Sequence, residues 1–325
     1  MGQRRGLGHH VAGADHTRIG QPGPRTFPAR LVSRSTTRRK VVRIRDGVVD
    51  ERVDSLAVES PLTVRLGSAD QVDQLAAVLT TMRTPGHDID LALGWLVAEG
   101  VLLAPEDVTE ARECRRLDDD GNVGETVEVR LRTDRRPRER LSWASSACGA
   151  CGTIAIESVV DEAKQLTRGS GLAVDRDLVL GLPDQLRQHQ RAFSASGGLH
   201  AAGLFDAEGS PLCIREDVGR HNAVDKVVGW AFREGLLPLD RHVIQLSGRA
   251  SFELVQKAAM SGVSVLAAVS APSSLAVELA EATGVLLAGF VRGGSMNVYT
   301  HPDRLLDATA APADRSVGEA PPASS

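Results

Sequence analysis

Cysteine is scarce: 325 residues hold four, Cys114, Cys148, Cys151 and Cys213, too few for a disulfide scaffold in a chain this long. No secretory leader is expected either. The first thirty residues contain no apolar segment, and the Arg4–Arg5 pair has none behind it. Gly6 stands where a myristoylation signal needs Ser or Thr. No apolar run is long enough to cross a bilayer, because the stretches 89–104 and 263–291 are interrupted by Glu99, Gly100, Pro272 and Glu278. Neither G-x-x-x-x-G-K-[ST] nor G-x-G-x-x-G occurs, so a P-loop or Rossmann reading has no support. These absences lead to the expectation of a soluble, cytoplasmic protein, in which a close cysteine pair serves chemistry or metal rather than stapling.

What is present is an ordinary globular composition, 42% apolar and 25% charged, with charge spread unevenly. Residues 1–45 hold eleven Arg and Lys against the single Asp15. The front of this stretch lacks apolar periodicity and reads as a disordered basic arm. Such an arm suits a nucleic-acid or acidic partner, but a non-specific extension is the simpler reading. No nucleic-acid or membrane partner is expected. The Ala-, Pro- and Ser-rich end reads as a disordered tail.

Between these ends, alternation around Asp46–Gly47 predicts a hairpin. Asp70 as a cap, helical spacing of Val72, Leu75, Ala76, Leu79 and Met82, and a stop at Pro85–Gly86 predict a helix. A second helix is expected from its cap Asp88 to Gly100. A hairpin loop, an alternating strand and a basic loop follow over 118–143. Ile156, Val159, Val160, Ala163 and Leu166 share one helical face. Two strands flank a Glu208–Gly209 turn, and a helix capped by Asn222 turns Val224, Val227, Val228 and Ala231 inward before stopping at Gly235. From 241 to 300, strands and helices alternate, and the strands are continuous apolar runs, as strands covered on both faces are. Gly262 and Gly284 close successive helices, so the βα unit repeats, which requires right-handed crossovers and a parallel sheet.

An open parallel sheet binds ligands beyond the carboxyl ends of its strands. Here those ends read Ser247–Arg249, Ser270–Ser274 and Arg292–Gly294, all on one edge. Two of them open helices, whose free N–H groups favour anions. Arg249 and Arg292 add donors suited to phosphate. His200, Asp217, Arg220, His221 and Lys226 gather at further strand and loop ends, where function is often carried. The plain alternative is that His221 and Asn222 merely begin a helix and that Arg215 and Glu216 are solvated.

"SSACGACG", at 145–152, admits three chemistries. Structural zinc needs further ligands, yet Cys114 and Cys213 stand alone and no H-x-E of the zinc deaminases occurs, so no metal site is expected. A dithiol–disulfide oxidoreductase competes better, although such domains are small and carry the motif near their start. A nucleophilic thiolate is the third option. A cysteine just ahead of a helix meets unpaired N–H groups that lower its pKa, and Gly149 and Gly152 leave the sulfur approachable. A pair of buried, inert thiols is the bland alternative.

"TPGHDIDLALGWLVAEG", "CGACG", "SGGLHAAGLF", "REDVGRHNAVDKVVGWA", "SGRASFELVQKAAMSG" and "FVRGGSMNVYTHPDR" follow one another in an order that resembles the formate dehydrogenase accessory sulfurtransferase family, FdhD, from about 41 to 306. The resemblance implies a sulfur carrier that accepts sulfane sulfur from a cysteine desulfurase as a persulfide on Cys148, with Cys151 as the neighbouring thiol. It implies delivery to the molybdenum or tungsten bis-molybdopterin guanine dinucleotide cofactor of formate dehydrogenase. The family's cofactor segment matches Phe290, Val291, Arg292, Gly293, Gly294 and Ser295. The implied fold is α/β, three-layered and similar to that of cytidine deaminases without the zinc, and the implied assembly is a homodimer. On this reading the chain divides into a basic arm (1–40), a smaller N-terminal α+β part (41–145), a C-terminal α/β sulfurtransferase core with parallel strands (146–306) and a tail (307–325). The competing functions are a plain dithiol oxidoreductase and a non-catalytic cofactor chaperone.

Overall fold

The computed structural model describes residues 35–70, 74–117, 123–137, 159–163 and 171–307. Most of the expected arm, the pair Cys148 and Cys151, and nearly all of the expected tail lie outside the described residues. The alternating stretch near the front folds as expected into a hairpin of β1 (Thr36–Arg45) and β2 (Val48–Ala57). Asp46 and Gly47 turn it, both at positive φ, the geometry that matches strand twist in a two-residue hairpin. β1 starts at Thr36, inside the stretch expected to be arm.

β3 (Ser60–Ser68), β4 (Ala76–Arg83), β5 (Val108–Leu117) and β6 (Val123–Leu131) form a sheet in the order β4-β3-β6-β5. The helix expected over 68–86 is not there: its C-terminal half is the edge strand β4. Its apolar residues do recur at helical spacing, but Val78, Thr80 and Thr81 are β-branched and the segment pairs with β3 from Ser60 to Leu66. Pairing onto a sheet outweighs so weak a local preference. Asp70 caps no helix, and its N–H donates to Ser68 Oγ at 3.4 Å.

The helix expected from Asp88 does form, as α1 (Asp88–Ala98), and every one of its residues is buried. A helix buried all round needs cover on all sides. α1 has the four-stranded sheet on one side and α4 (Arg220–Arg233) on the other. The two helices meet at Gly94 and Gly229. A Cβ on Gly94 would lie 1.9 Å from the Asp225 carbonyl oxygen, and one on Gly229 would lie 1.7 Å from that of Asp90. The cap of α1 is His87 rather than Asp88, whose carboxylate instead holds the buried Arg83 guanidinium at 2.7 and 3.0 Å.

The second sheet carries the C-terminal half. Its order is β13-β12-β11-β10-β8-β9, from β8 (His200–Phe205), β9 (Pro211–Asp217), β10 (Val243–Leu246), β11 (Val265–Ala268), β12 (Leu286–Arg292) and β13 (Ser295–Val298). β10, β11 and β12 run parallel, as expected, joined by α5 (Phe252–Met260) and α6 (Ser274–Thr283). The outer pairings are antiparallel. Side chains alternate between faces: Leu204, Ile244, Leu266 and Leu287 join the core that holds α1 and α4, while Phe205, Val243, Val265 and Leu286 form a second cluster with α2 (Arg176–His189). The fold is therefore mixed α/β, with helices on both faces of the larger sheet. One continuous core links both sheets, running from Leu62 and Val127 through Leu93 and Val227 to Leu266.

α2 is absent from the sequence reading, although its signals exist. Asp175 caps it by accepting from the N–H groups of Asp177 and Leu178, and Val179, Leu182 and Leu186 form its buried stripe. It is followed by α3 (Arg191–Ser196), whose first N–H groups are taken by the Glu216 carboxylate. A small parallel pair, β7 (Val174–Asp175) with β14 (Leu305–Leu306), closes the described fold. No helix among the described residues is long and apolar enough to cross a membrane.

The sheets are joined through buried charge. Lys226 Nζ lies 2.6 Å from Asp217 Oδ2 and donates to the Thr84 carbonyl at 2.8 Å, and the same Asp217 oxygen accepts from Thr84 N–H at 3.1 Å. Breaking such a pair on one side strands the other charge. Lys226→Met is expected to cost about 3–5 kcal/mol of stability in urea unfolding; a loss below about 1 kcal/mol would show that the remaining donors to Asp217 suffice.

Candidate functional site

Because β8 runs antiparallel to β10 and β9 antiparallel to β8, His200 at the start of β8 and Asp217 at the end of β9 share the edge where β10, β11 and β12 end. The segments singled out separately in the sequence thus come together: His200, the start of α4 at Arg220, Ser247–Arg249, Ser270–Ser274 and Arg292–Gly294.

The loops at this edge are tied to one another through their backbones. Ser270 N–H donates to the Gly248 carbonyl at 3.2 Å, Ala250 N–H to that of Ala271 at 3.3 Å, and Ser273 N–H to that of Ala250 at 3.0 Å. Phe290 N–H donates to the Ser270 carbonyl at 3.3 Å, which attaches the end of β12 to the same group. Gly289 packs so closely that a Cβ there would lie 3.0 Å from Pro272 and Tyr299.

The cofactor segment expected from the resemblance has a distinct local geometry. Phe290 sits at φ 54, in the left-handed region, an uncommon and costly place for an aromatic residue. It falls where the register between β12 and β13 shifts. Val291 is buried in the cluster beneath α2. Gly293 and Gly294, both at positive φ, make a two-residue turn between the paired Arg292 and Ser295, the conformation that glycine permits most readily. Ser295 Oγ donates to the Arg292 carbonyl at 3.0 Å. The exposed Arg292 guanidinium lies 5.7 Å from the Phe290 ring centroid. The segment presents a cation and an aromatic ring beside a tight two-residue turn.

Two helices begin at this edge without a side-chain cap: α4, whose cap is Gly219, and α5, whose cap is Ser251. Their first N–H groups favour an anion. α6, by contrast, is capped by its own Ser273. The Asn222 cap expected for α4 is one turn too late; its side chain is buried and donates to the Met82 carbonyl and to Asp217, at 2.8 and 3.0 Å. Arg220 Nε is buried with no hydrogen-bond partner among the described residues, and Arg249 is exposed. His221 Nε2 lies 2.9 Å from Glu253 Oε2 and 3.4 Å from Ser251 Oγ. It also lines a cavity of about 190 Å³ with Thr81, Trp95, Glu99, Asp225 and Lys257.

The remaining polar residues of this region are structural. Asp217 and Lys226 form the buried pair described above. Arg215 is not solvated but lies 3.3 Å from Asp90, and Glu216 holds the start of α3. Burial would raise the Asp90 carboxyl, but hydrogen bonds with His87 and Arg233 and the charges of Arg233 and Arg215 hold it below the usual carboxylate range. Of the two cysteines among the described residues, Cys213 is buried in β9, and burial pushes its thiol up to about 12, which keeps it protonated and unreactive. Cys114 lies half-buried in β5. Cys148 and Cys151 lie outside the described residues. No group of three or more His, Cys, Asp or Glu among the described residues is arranged to hold a metal.

The edge is cationic enough to act on its own histidine. Burial first, and then the charges of Arg220, His221 and Arg249, lower the His200 imidazole below its ordinary value of 6.5. His200 is therefore expected to be neutral at pH 7 and to titrate below a free histidine in an NMR pH series. Arg220→Gln should move that titration upward; an unchanged midpoint would show that the guanidinium does not reach it.

Comparison with known proteins agrees with this architecture. The model of the FdhD/NarQ family matches residues 57–306. "Sulfur carrier protein FdhD" of Nocardia farcinica is 48% identical over 285 residues, covering 86% of this chain and 98% of that protein. The Streptomyces coelicolor protein of the same name is 48% identical over 280 residues, covering 84% and 97%. The Mycobacterium tuberculosis one is 45% identical over 279 residues, covering 83% and 99%. Among solved structures, that of a candidate formate dehydrogenase accessory protein from Desulfotalea psychrophila superposes with a TM-score of 0.63 at 22% identity, covering 84% of this chain and all of that one. That likeness speaks for the fold alone. With the family model matched across both sheets and relatives of this identity spanning nearly their full length, the chain belongs to the FdhD/NarQ family.

Proposed function

We propose that this protein is a cytoplasmic sulfur carrier. It takes sulfane sulfur from a cysteine desulfurase as a persulfide on Cys148 and delivers it to the molybdenum bis-molybdopterin guanine dinucleotide cofactor destined for formate dehydrogenase. The observation that carries this reading is the cationic edge: two uncapped helix starts, the unpartnered Arg220 Nε, and Arg249 and Arg292 at the ends of parallel strands. A dinucleotide cofactor brings pyrophosphates, and such groups are what N–H clusters and guanidinium forks recognise. The relatives' printed name, sulfur carrier, supports the same activity. The family resemblance further favours a homodimer and a three-layer, cytidine-deaminase-like core. The cytoplasm suits the chemistry, since thiols stay reduced there.

In the loading step the Cys148 thiolate attacks the outer sulfur of the donor's persulfide. The donor's S–S bond breaks, its cysteine leaves as a thiolate, and the outer sulfur stays on Cys148. In the delivery step the Cys151 thiolate attacks the Cys148 sulfur. The bond to the outer sulfur breaks, that sulfur departs as hydrosulfide toward the metal of the substrate cofactor, and a Cys148–Cys151 disulfide forms. The dithiol thus supplies the two electrons that reduce sulfane sulfur to sulfide, and a cellular thiol reductant resets the pair. The protein's own edge residues orient the cofactor through its phosphates.

Intact mass spectrometry after incubation with desulfurase and cysteine is expected to show one added sulfur on the wild type and none on Cys148→Ala; normal loading of that variant would dismiss Cys148 as the carrier. Arg292→Ala is expected to weaken binding of guanosine diphosphate about tenfold in calorimetry, the weight of one charge-assisted contact. Unchanged affinity would take Arg292 out of the site.

A further inference from the structure

The β1–β2 hairpin stands out from the body of the protein. It is a sheet of its own, with no third strand among the described residues. Among the described residues its base is covered, where α3 packs on it and Ala57 faces Gly198. Two-stranded hairpins are at best marginally stable alone, so one this long needs cover on a face.

Its two faces differ. Cross-strand pairing sets Ile44 opposite Val49, Val42 opposite Glu51, and Lys40 opposite Val53. Because successive side chains point to opposite faces, Val42, Ile44, Val49 and Val53 share one face. All four are 60–71% exposed. The opposite face is mainly polar, with Arg43 paired to Asp50 at 2.9 Å and Arg52 to Asp54 at 3.2 Å. Scattered exposed apolar residues mean little, but four β-branched ones on one face mark a contact surface.

Charge identifies what covers it. β1 carries Arg38, Arg39, Lys40, Arg43 and Arg45 and no acid, whereas β2 carries Asp50, Glu51 and Asp54 against Arg52 alone. A two-fold axis that paired hairpins edge to edge would set a strand against its own copy, and for β1 that means five cations beside five. A two-fold axis parallel to the strands instead stacks the apolar faces and lays β1 over β2 of the second molecule, bringing Arg38 and Lys40, the cations of that face, toward Glu51, its one acid. The apolar face is self-complementary in that arrangement.

We propose that the apolar face of the β1–β2 hairpin is a two-fold interface with a second copy of this chain, in which Lys40 of each copy meets Glu51 of the other. The inference rests on the homodimer reading above and assigns the surface. A ten-residue, two-stranded face measures roughly 33 by 10 Å, small for a specific interface, so dimerisation in the micromolar range is expected.

Sedimentation equilibrium of the full chain tests this. The wild type is expected to dimerise, and the double substitution Ile44→Ser with Val49→Ser to raise the dissociation constant about tenfold or more, with unchanged circular dichroism because both residues are exposed. Lys40→Glu and Glu51→Lys should each weaken the dimer alone, and an equimolar mixture of the two should form a heterodimer of wild-type strength in native mass spectrometry. A dimer indifferent to all these substitutions overturns the assigned surface but leaves the homodimer reading standing. A chain that stays monomeric throughout ends both, and one that is monomeric but sediments with phosphatidylglycerol vesicles through this face assigns the hairpin to a lipid surface instead.

Discussion

Two glycines, Gly94 and Gly229, let α1 and α4 touch backbone to backbone, and most of the structure depends on that contact. Any side chain at either position would overlap a carbonyl of the other helix. With the helices this close, side chains around the crossing reach across it. Asp90 of α1 reaches Arg233 of α4 at 2.6 Å, and the turn ahead of α1 presents Thr84 to both Asp217 and Lys226. The four-stranded sheet is thereby joined to the six-stranded one through a single core. The position of α4, and with it the uncapped start that carries Arg220 and His221, is set by a helix from the other half of the chain.

The buried charges explain why this junction has one register. Arg83 with Asp88, Asp90 with Arg215 and Arg233, Asp217 with Lys226, and Asp225 with Lys257 are all ion pairs with little or no exposure on the acidic side. Such pairs add little net stability, since desolvation offsets attraction, but a mismatched one is costly. Sliding α1 along α4 by a turn would strand several charges at once. The same pairs account for a segment that looks catalytic in the sequence. In Arg215–Lys226 most of the polar residues are consumed by packing, and Arg220 and His221 are the two left at the edge.

That edge combines rigidity with positive charge. Backbone hydrogen bonds from Gly248 to Phe290 tie the strand ends together, so the anion of the proposed function would find its donors already in place rather than gathered at an entropic cost. Phe290 is held in a strained backbone conformation next to a two-glycine turn, and strain of that kind persists only where the surroundings over-determine it.

The sequence by itself determined the elements whose signals are local and strong. α1, α4 and the alternation of strands and helices from 241 to 300 are legible because their apolar periods, glycine stops and buried strand runs all agree. The order of the family motifs was legible for the same reason. Tertiary structure alone decided the rest. Residues 76–83 carry a helical spacing but became an edge strand, because a partner sheet offered hydrogen bonds that no local pattern encodes. Asn222 looked like a cap and became a buried donor to Met82 and Asp217, because only the fold brings β4 against α4. His200, Arg220, Arg249 and Arg292 are spread over more than ninety residues, and only the order of strands in the sheet sets them on one edge.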